Sequence, residues 1–445
     1  MPSDRLQRIT VCGLGKLGAC VAACLAARGV EVVGIDVDRS KVRLLAQRIA
    51  PVQEPKLQDM IDQSGDRLRA TDDFGRAMET SQACFFVTPT PSLRNGSFTN
   101  EYLLQAVKAV AAQVRRCRHS GFLFVINSTV TPGSCVDVLK PVLEQTLEGK
   151  CGQDFGLCYN PEFIALGDVI RGLLEPDFVL IGESDTSSGD RLQDLYQRFN
   201  TNRASVERMS LASAELAKIS VNSAVTMKIS FANQLSAVCA KIPGADARVI
   251  LKAIGKDRRI GQDYLKAGLS FGGPCFPRDN RLFQYTARSF GIEAPLAEAT
   301  DKVNDFVNAR LLQTVLSRSR NGGPMGVLGL AYKPFTGVID CSPGVWLCQR
   351  LAEHGRQVFA HDYQAGKAAA PSLSGGQVVI YEDPEQLFVK GCSTFAITCP
   401  WPGYIELFQS AARRIPRDSV IIDPWFVLEN VASELDTVSY VTRLD

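Results

Sequence analysis

The sequence predicts an α/β fold class, with two Rossmann-like, doubly wound domains joined by an all-α central domain. Three observations predict it. A strand–helix–strand pattern with a glycine-rich turn opens the chain, and a second strand–helix–strand pattern begins at Met325. Between them, from Ser210, apolar residues recur with the helical period. We therefore predict domains over residues 1–205, 206–318 and 319–445, which suits a chain of 445 residues.

Charge and composition restrict the classes of function. The net charge is +2, with 49 Lys and Arg against 47 Asp and Glu. Neither a nucleic acid nor a membrane surface is therefore expected as partner. No apolar run approaches the length that spans a bilayer, and no signal-peptide core opens the chain, so we expect a cytoplasmic protein. The 14 cysteines contain no C-x-x-C pair and the three histidines have no ligand spacing, so no metal is expected.

The first predicted domain opens with a dinucleotide-binding fingerprint. Its strand, helix and strand are predicted over Arg8–Cys12, Ala19–Arg28 and Glu31–Ile35. The glycines of Gly13-x-Gly15-x-x-Gly18 lie where a pyrophosphate must approach the backbone and a helix N-terminus. Asp36 closes the second strand and is expected to accept hydrogen bonds from ribose hydroxyls, which favours NAD over NADP. The predicted NAD contacts are Gly13, Gly15, Lys16, Leu17, Gly18, Asp36, Lys41, Thr90 and Thr129.

Four further strands are predicted in this domain. Three cover Cys84–Val87, Phe122–Asn127 and Phe178–Ile181, and a segment that fits a strand ending in a carboxylate covers Leu157–Phe163. The carboxyl ends of parallel strands meet at one edge of a sheet. The loops at 88–91, 128–133 and 182–183 are therefore expected to line one ligand crevice.

The central domain carries the residue of greatest chemical interest, Cys275. A helix is predicted from Ser210 to Ile242, with Glu215, Lys218 and Asn222 on one face, and a second over Ala247–Ile254. Cys275 follows a Gly/Pro-rich turn, and Pro277 fits the first position of the next helix. A helix N-terminus favours thiolate over thiol, so Cys275 is a candidate nucleophile.

The C-terminal domain is predicted to begin with a second βαβ half. Its strand, helix and strand are expected over Met325–Leu330, Pro343–Glu353 and Gln357–Ala360. Gly329 is followed by Ala331-Tyr332-Lys333 rather than by a tight glycine turn, which suits a different nucleotide geometry.

Seven motifs follow one another along the chain. They are the G-x-G-x-x-G turn, Thr88-Pro89-Thr90-Pro91, Ser128-Thr129-Val130, Asn160-Pro161-Glu162-Phe163, Glu215-x-x-Lys218-x-x-x-Asn222, Arg259-Ile260-Gly261 and Gly272-Gly273-Pro274-Cys275-Phe276-Pro277-x-Asp279. In this order they resemble the motifs of the UDP-glucose/GDP-mannose dehydrogenase family, most of all its UDP-glucose 6-dehydrogenase branch. The resemblance covers essentially the whole chain.

The resemblance implies that a sugar C6 alcohol, most of all that of UDP-glucose, is oxidised to a carboxylate with two NAD and one water. Cys275 would carry a thiohemiacetal and then a thioester. The other implied catalytic roles are oxyanion stabilisation by Lys218 and Asn222, orientation of the lysine or water by Asp279, general base catalysis by Glu162, and positioning of a water or the cofactor by Thr129.

The resemblance also implies a nucleotide-sugar site and a partner subunit. Arg259 would reach the sugar across a dimer interface, so a homodimer through the central helical domain is expected. The implied substrate contacts are Glu162, Phe163, Lys218, Asn222, Arg259, Tyr264, Lys266, Phe271, Gly272, Gly273 and Lys333.

Five features depart from the family pattern. They are Leu166 in place of a second glutamate, Asp340 in place of an arginine that reaches NAD, Asp423-Pro424-Trp425-Phe426 in place of Asp-x-Arg, Asn127 in place of lysine, and Pro274 in place of serine. The residues implied in catalysis are all present, whereas residues around them that would bind NAD and the substrate are replaced. GDP-mannose or a UDP-N-acetylhexosamine therefore remains an alternative substrate. A two-electron 3-hydroxyacid-type dehydrogenase and a nucleotide-sugar-binding protein with little catalysis remain alternative functions.

Overall fold

The computed structural model describes residues 5–164, 167–319, 323–433, 435 and 438–444. Its chain divides into two units, Met1–Ser220 and Val221–Asp445, and the division falls inside one long helix. No described helix is long and apolar enough to cross a membrane. No cluster of three or more metal-ligating side chains occurs within the described residues.

The first unit is built on a sheet whose described part contains eight strands. They are β1 (Arg8–Cys12), β2 (Glu31–Ile35), β3 (Leu68–Thr71), β4 (Ala83–Phe86), β5 (Phe122–Ile126), β6 (Phe155–Tyr159), β7 (Phe178–Glu183) and β8 (Ser205–Ser210). The spatial order is β3-β2-β1-β4-β5-β6-β7-β8. All neighbouring strands are parallel except β6 and β7.

Helices connect and cover these strands. They are α1 (Lys16–Ala27), α2 (Arg39–Ala46), α3 (Leu57–Ser64), α4 (Phe74–Met78), α5 (Glu101–Arg116), α6 (Lys140–Leu147), α7 (Val169–Leu174) and α8 (Thr186–Phe199), followed by α9 (Leu211–Cys239). Both faces of the sheet are covered, so β4, β5 and β6 are buried along their whole length and consist largely of apolar residues.

The second unit combines helices with a second parallel sheet. Its helices before the sheet, besides the end of α9, are α10 (Ala247–Ile254), α11 (Phe276–Ser289) and α12 (Pro295–Arg318). The strands are β9 (Met325–Leu328), β10 (Val358–His361), β11 (Val378–Tyr381), β12 (Thr394–Ile397), β13 (Val420–Ile422) and β14 (Ser439–Val441). The associated helices are α13 (Pro343–Glu353), α14 (Gly366–Ala369), α15 (Gln386–Val389), α16 (Gly403–Ala411) and α17 (Glu429–Ala432).

This sheet has the order β11-β10-β9-β12-β13-β14 among the described strands, with every pair parallel. That is the strand order of a doubly wound dinucleotide-binding fold. The expected fold class, two Rossmann-like domains with a helical centre, is therefore confirmed.

Both βαβ units contain the same close contact between two glycines. A Cβ on Gly18 would lie 1.8 Å from the carbonyl oxygen of Gly13, and one on Gly344 would lie 1.9 Å from that of Gly329. Gly13 and Gly329 have φ values of +101° and +111°. In the second unit the partner glycine lies farther along the chain, at the start of α13, so a longer loop separates Gly329 and Gly344 than separates Gly13 and Gly18.

Three local expectations are corrected. The first helix begins at Lys16 rather than Ala19, directly after the glycine turn. Strand β6 ends at Tyr159, so Glu162 lies in the following loop and not on the strand. Residues 182–183, expected in a loop, belong to strand β7, which runs antiparallel to β6 and pairs them with Tyr159 and Cys158 at the carboxyl end of β6.

The glycine contact in the second unit predicts a cost for Gly344→Ala. The added methyl group would overlap the Gly329 carbonyl, and overpacking of this kind costs about 1–3 kcal/mol. Urea denaturation measures the change in the free energy of unfolding. Gly375→Ala is the matched control, because its Cβ meets nothing within 4 Å, and we expect a change within about 0.5 kcal/mol. Equal stability of the two variants would contradict this account.

Candidate functional site

A cradle for a dinucleotide lies at the end of β1. Helix α1 begins at Lys16 after Gly15, whose missing side chain leaves open space. Gly13 and Gly18 leave no room for a methyl group, so the turn stays close to the helix end. Exposed Lys16 and half-buried Leu17 follow the turn. An open, uncapped helix N-terminus on a glycine turn fits the pyrophosphate of NAD.

Asp36 supports this turn and keeps part of its hydrogen-bonding capacity. Its two oxygens accept from the backbone N–H groups of Leu14, at 2.6 Å, and Asp38, at 2.8 Å. A carboxylate offers about four acceptor sites, so both oxygens can also accept from ribose hydroxyls. Lys41, a predicted cofactor contact, pairs with Asp38 at 3.5 Å.

Asp362 holds the equivalent position after β10 in the second unit, and protein donors fill all of its hydrogen-bond acceptor sites. Its carboxylate accepts from five donors, the backbone N–H groups of residues 330, 331, 364 and 365 and the indole of Trp401. Its side chain is buried. Asp362 therefore maintains the fold, whereas Asp36 is available to a ligand.

The loops after β4 and β5 are tied together beside the cradle. The Ser128 hydroxyl accepts from the backbone N–H of Thr88 at 2.9 Å and donates to the Thr88 carbonyl at 2.7 Å. The Thr90 hydroxyl donates to the carbonyl of Thr129 at 2.6 Å. Thr90 is buried and Thr129 is half-buried, so these predicted contacts lie in a fixed pair of loops.

The loop after β6 carries Glu162 and is anchored by Asn160. The Asn160 amide donates to the Leu180 carbonyl at 2.9 Å, and its own carbonyl accepts from Asn127 at 2.7 Å. Its side-chain oxygen accepts from the Tyr196 hydroxyl at 2.5 Å. Asn127, which departs from the family pattern, is thus part of this buried anchor.

Lys218, on helix α9, is the cation that contacts this loop. Its side chain is buried, and Nζ donates to the backbone carbonyl of Glu162 at 2.7 Å. Nζ also lies 4.5 Å from the centre of the Phe163 ring, which packs at a tilt against the Phe178 ring with 4.8 Å between ring centres. A buried ammonium must be paired or hydrogen-bonded, and the loop supplies both a carbonyl and an aromatic face.

Glu162 is half-buried and poised to exchange a proton near neutral pH. Burial raises the pKa of its carboxyl to about 7. The positive charge of Lys218 and a hydrogen bond from Tyr196 oppose that rise. A carboxyl group with such a pKa can serve as a general base at physiological pH.

Glu215 lies near Lys218 on α9; the sequence placed it on the same helix face but indicated no role for it. It is fully buried and accepts from the backbone N–H groups of Gly133, at 2.6 Å, and Cys135, at 2.7 Å. It therefore fastens α9 to the loop after β5. The sequence signal was a charged residue one turn before Lys218 in a largely apolar helix.

In the second unit, Cys275 lies at the N-cap of α11, as predicted, and its side chain is exposed. The helix begins at Phe276, so Pro277 occupies the second position rather than the expected first. Asp279, in the first turn, is buried and accepts from the Asn222 amide at 2.6 Å. Asn222 and Asp279 are thus direct partners.

Arg278 is a residue that sequence reasoning missed. Burial lowers the pKa of its guanidinium, and its neighbours Asp279 and Cys275 oppose that shift. A half-buried cation beside the cysteine favours the thiolate. Its adjacency to Cys275 in the motif was the available signal.

The segment before Cys275 packs on the loop that follows β9. The Gly273 N–H donates to the Asp340 carbonyl at 2.7 Å, and a Cβ on Gly272 would lie 2.5 Å from the Cys341 carbonyl. The Gly273 α-carbon faces the Tyr332 ring. Asp340, a departure from the family pattern, is therefore held by its backbone against the cysteine loop.

The other predicted substrate residues differ in exposure. Phe271 is buried; its backbone N–H donates to Asn304 Oδ1 at 2.8 Å, and the Asn304 side-chain amide donates to its carbonyl at 3.0 Å. Tyr264 and Lys266 are exposed, and Lys333 is half-buried. Arg259 is 88% exposed and pairs with Asp257 at 2.6 Å, so within one chain it is a surface residue.

Aromatic residues occupy the position of the absent Asp-x-Arg motif. The Trp425 ring covers Gly268, where a Cβ would lie 2.2 Å from the indole, and its N–H donates to the Thr398 carbonyl at 3.3 Å. Phe426 lies 3.8 Å under the Arg248 guanidinium. Leu166, where the family has a second glutamate, lies outside the described residues.

Three family models match consecutive parts of the chain. They describe the UDP-glucose/GDP-mannose dehydrogenase family, whose NAD binding domain matches residues 7–200, central domain 212–306 and UDP binding domain 326–430.

Individual proteins and a solved structure agree with these matches. A GDP-mannose 6-dehydrogenase from Pseudomonas putida is 34% identical over 362 residues, which are 80% of this chain and 81% of that protein. A UDP-glucose 6-dehydrogenase from Haloferax volcanii is 34% identical over 360 residues, 80% of this chain and 83% of that protein. The structure of a UDP-glucose dehydrogenase from the archaeon Pyrobaculum islandicum has a TM-score of 0.87 at 30% identity, covering 99% and 98% of the two chains.

The Glu215 anchor predicts that Glu215→Ala destabilises the first unit. Two buried N–H groups would lose their acceptor, which costs about 2–4 kcal/mol in the free energy of unfolding. Thermal denaturation monitored by circular dichroism checks this. Leu216→Ala, the neighbouring exposed position, is the control and should cost less than about 1 kcal/mol. Equal losses in both variants would show that the anchor contributes nothing specific.

Proposed function

Because the chain belongs to the UDP-glucose/GDP-mannose dehydrogenase family and is an NAD-dependent nucleotide-sugar dehydrogenase, we propose that it oxidises the C6 alcohol of UDP-glucose to the carboxylate of UDP-glucuronate. The oxidation would pass through a covalent intermediate on Cys275. The observation that carries this proposal is the exposed Cys275 at the start of α11, with the buried Asp279–Asn222 pair in the first turn.

The balance of the reaction requires two hydride acceptors and one water. The Gly13–Gly18 turn and Asp36 would hold NAD, which would supply the hydride acceptor for each oxidation at the sugar C6. The Cys275 thiolate forms a C–S bond to the aldehyde, and loss of the second hydride leaves a thioester. Water then cleaves the C–S bond, which releases the acid and regenerates the thiol.

Side chains of the loop after β6 and of α9 supply proton transfer and charge stabilisation. Glu162, acting through water, removes the alcohol proton and later activates the hydrolytic water. Lys218 uses one ammonium proton on the Glu162 carbonyl, so two remain to stabilise an oxyanion. Asn222 adds a further donor, because only one of its two amide protons is used by Asp279.

UDP-glucose is favoured as the substrate by the extent of the structural likeness. The similarity to a UDP-glucose dehydrogenase structure covers 99% of the chain with a TM-score of 0.87, whereas that to a GDP-mannose dehydrogenase structure covers 94% with a TM-score of 0.54. The exposed Arg259 suits a contact with a second copy of the chain, so we propose a homodimer through the central helices in which Arg259 reaches the partner's substrate.

The four-electron reaction predicts two NADH per sugar. With excess NAD and limiting UDP-glucose, absorbance at 340 nm should reach two equivalents, and Cys275→Ser should form no free acid. Cys341→Ser, the other exposed cysteine, is the control and should behave as the wild type. One equivalent would support the two-electron alternative. GDP-mannose or a UDP-N-acetylhexosamine in place of UDP-glucose tests the other substrates, and inactivity with all of them would contradict the proposal.

The pKa of Glu162 predicts the acid limb of the pH profile. The ionised carboxylate is the active form, so kcat/KM should rise with pH through about 7 and fall roughly tenfold for each pH unit below it. Glu162→Gln should lower the rate at pH 8 by at least about 100-fold and abolish this limb. Steady-state kinetics between pH 5 and 9 measure both, and an unchanged limb in the variant would assign it to another group.

A further inference from the structure

Tyr196 lies beside Glu162 and has no part in the reaction steps above. It comes from α8, is buried, and directs its hydroxyl to two acceptors. The hydroxyl oxygen is 2.5 Å from Asn160 Oδ1 and 3.4 Å from Glu162 Oε1. A phenol has a single proton, so it can serve only one of these oxygens fully at a time.

We propose that Tyr196 is a positioning residue for Glu162, whose hydroxyl donates to the Glu162 carboxylate when it is ionised and to Asn160 when Glu162 is protonated. In the second state the Glu162 hydroxyl can donate to the Tyr196 oxygen. The exchange needs only rotation of one hydroxyl, and the proton number of Tyr196 does not change.

Asn127 makes this rotation possible. Its amide nitrogen lies 2.7 Å from the Asn160 carbonyl and 3.3 Å from Asn160 Oδ1. Its two protons can therefore serve both oxygens, and Asn160 Oδ1 keeps a donor when Tyr196 turns to Glu162. A buried acceptor without any donor would otherwise oppose the rotation.

The direction of the effect on Glu162 distinguishes positioning from general support of the fold. Two groups affect the pKa of the Glu162 carboxyl, Lys218 from α9 and Tyr196 from α8. The negative charge of Glu162 in turn contributes to the raised pKa of the Cys24 thiol of α1. A hydrogen bond to the charged form lowers a carboxyl pKa. Its removal should raise the Glu162 titration midpoint, whereas loosening that admits water should lower it toward the value of an exposed glutamate.

The inference rests on the proposed role of Glu162 as general base, and Tyr196→Phe tests it. We expect the acid limb of kcat/KM to move upward by about 0.5–1 pH unit, with kcat at pH 7 reduced about three- to tenfold and KM for NAD within twofold. Tyr404→Phe removes a buried hydroxyl from the second unit and is the matched control, with no shift expected. Asn127→Ala, which keeps Tyr196 on Asn160, should shift the limb in the same direction.

Infrared difference titration separates this inference from the proposed function. The Glu162 carboxyl band, assigned by subtraction of the Glu162→Gln spectrum, reports its midpoint without any turnover. An upward shift in Tyr196→Phe supports the positioning role even if no nucleotide sugar is oxidised, in which case only the proposed function fails. An unchanged or lowered midpoint in Tyr196→Phe overturns the positioning role. If Tyr196→Phe does not fold, the same criterion applies to Asn127→Ala.

Discussion

The burial of the Lys218 ammonium constrains the site of the first unit more than any other single interaction. A charge removed from water needs compensation close at hand. Here the compensation comes from the Glu162 carbonyl and the Phe163 ring. The loop that bears Glu162, the proposed general base, is therefore fixed by the same cation that opposes the rise in the pKa of its carboxyl. Chemistry and local structure depend on one side chain.

Lys218 can fix the loop after β6 only if α9, which carries it, is itself held in place. Glu215, one turn earlier on the same helix, binds two backbone N–H groups of the loop after β5. The loop after β6 is fastened separately by Asn160. The side-chain polar atoms of Glu215 and Asn160 are buried and hydrogen-bonded, which is the arrangement that gives a low-dielectric site a single geometry.

Sequence reasoning located the elements whose signals are local. The bounds of β1, β2, α10 and α13 match the expected ranges because a glycine, a cap or a proline lies close to at least one end of each. It located β7 but not its direction, since the direction of a strand depends on which neighbour it pairs with and not on its own residues. It likewise missed Tyr196, because a hydroxyl 34 residues from Glu162 in sequence gives no pattern that a single chain reveals.

The two βαβ units share a backbone contact between glycines but differ in what the surrounding residues bind. Both contain the contact between a turn glycine and a helix glycine. In the first unit the Asp36 carboxylate can accept further hydrogen bonds from a ligand, whereas all acceptor sites of Asp362 are filled by donors of the protein. The residues between Gly329 and Gly344 form the loop that packs on the cysteine segment. Equivalent positions therefore carry different functions, and only the hydrogen-bond partners distinguish them.

The most direct test of the central claim is mass spectrometry of the enzyme after rapid acid quench during turnover with NAD and UDP-glucose. Covalent catalysis by the α11 cysteine predicts that the peptide containing Cys275 carries the added mass of the nucleotide-sugar acyl group. NADH formation to two equivalents with no adduct on Cys275 at any quench time, or an adduct confined to Cys341, would contradict it.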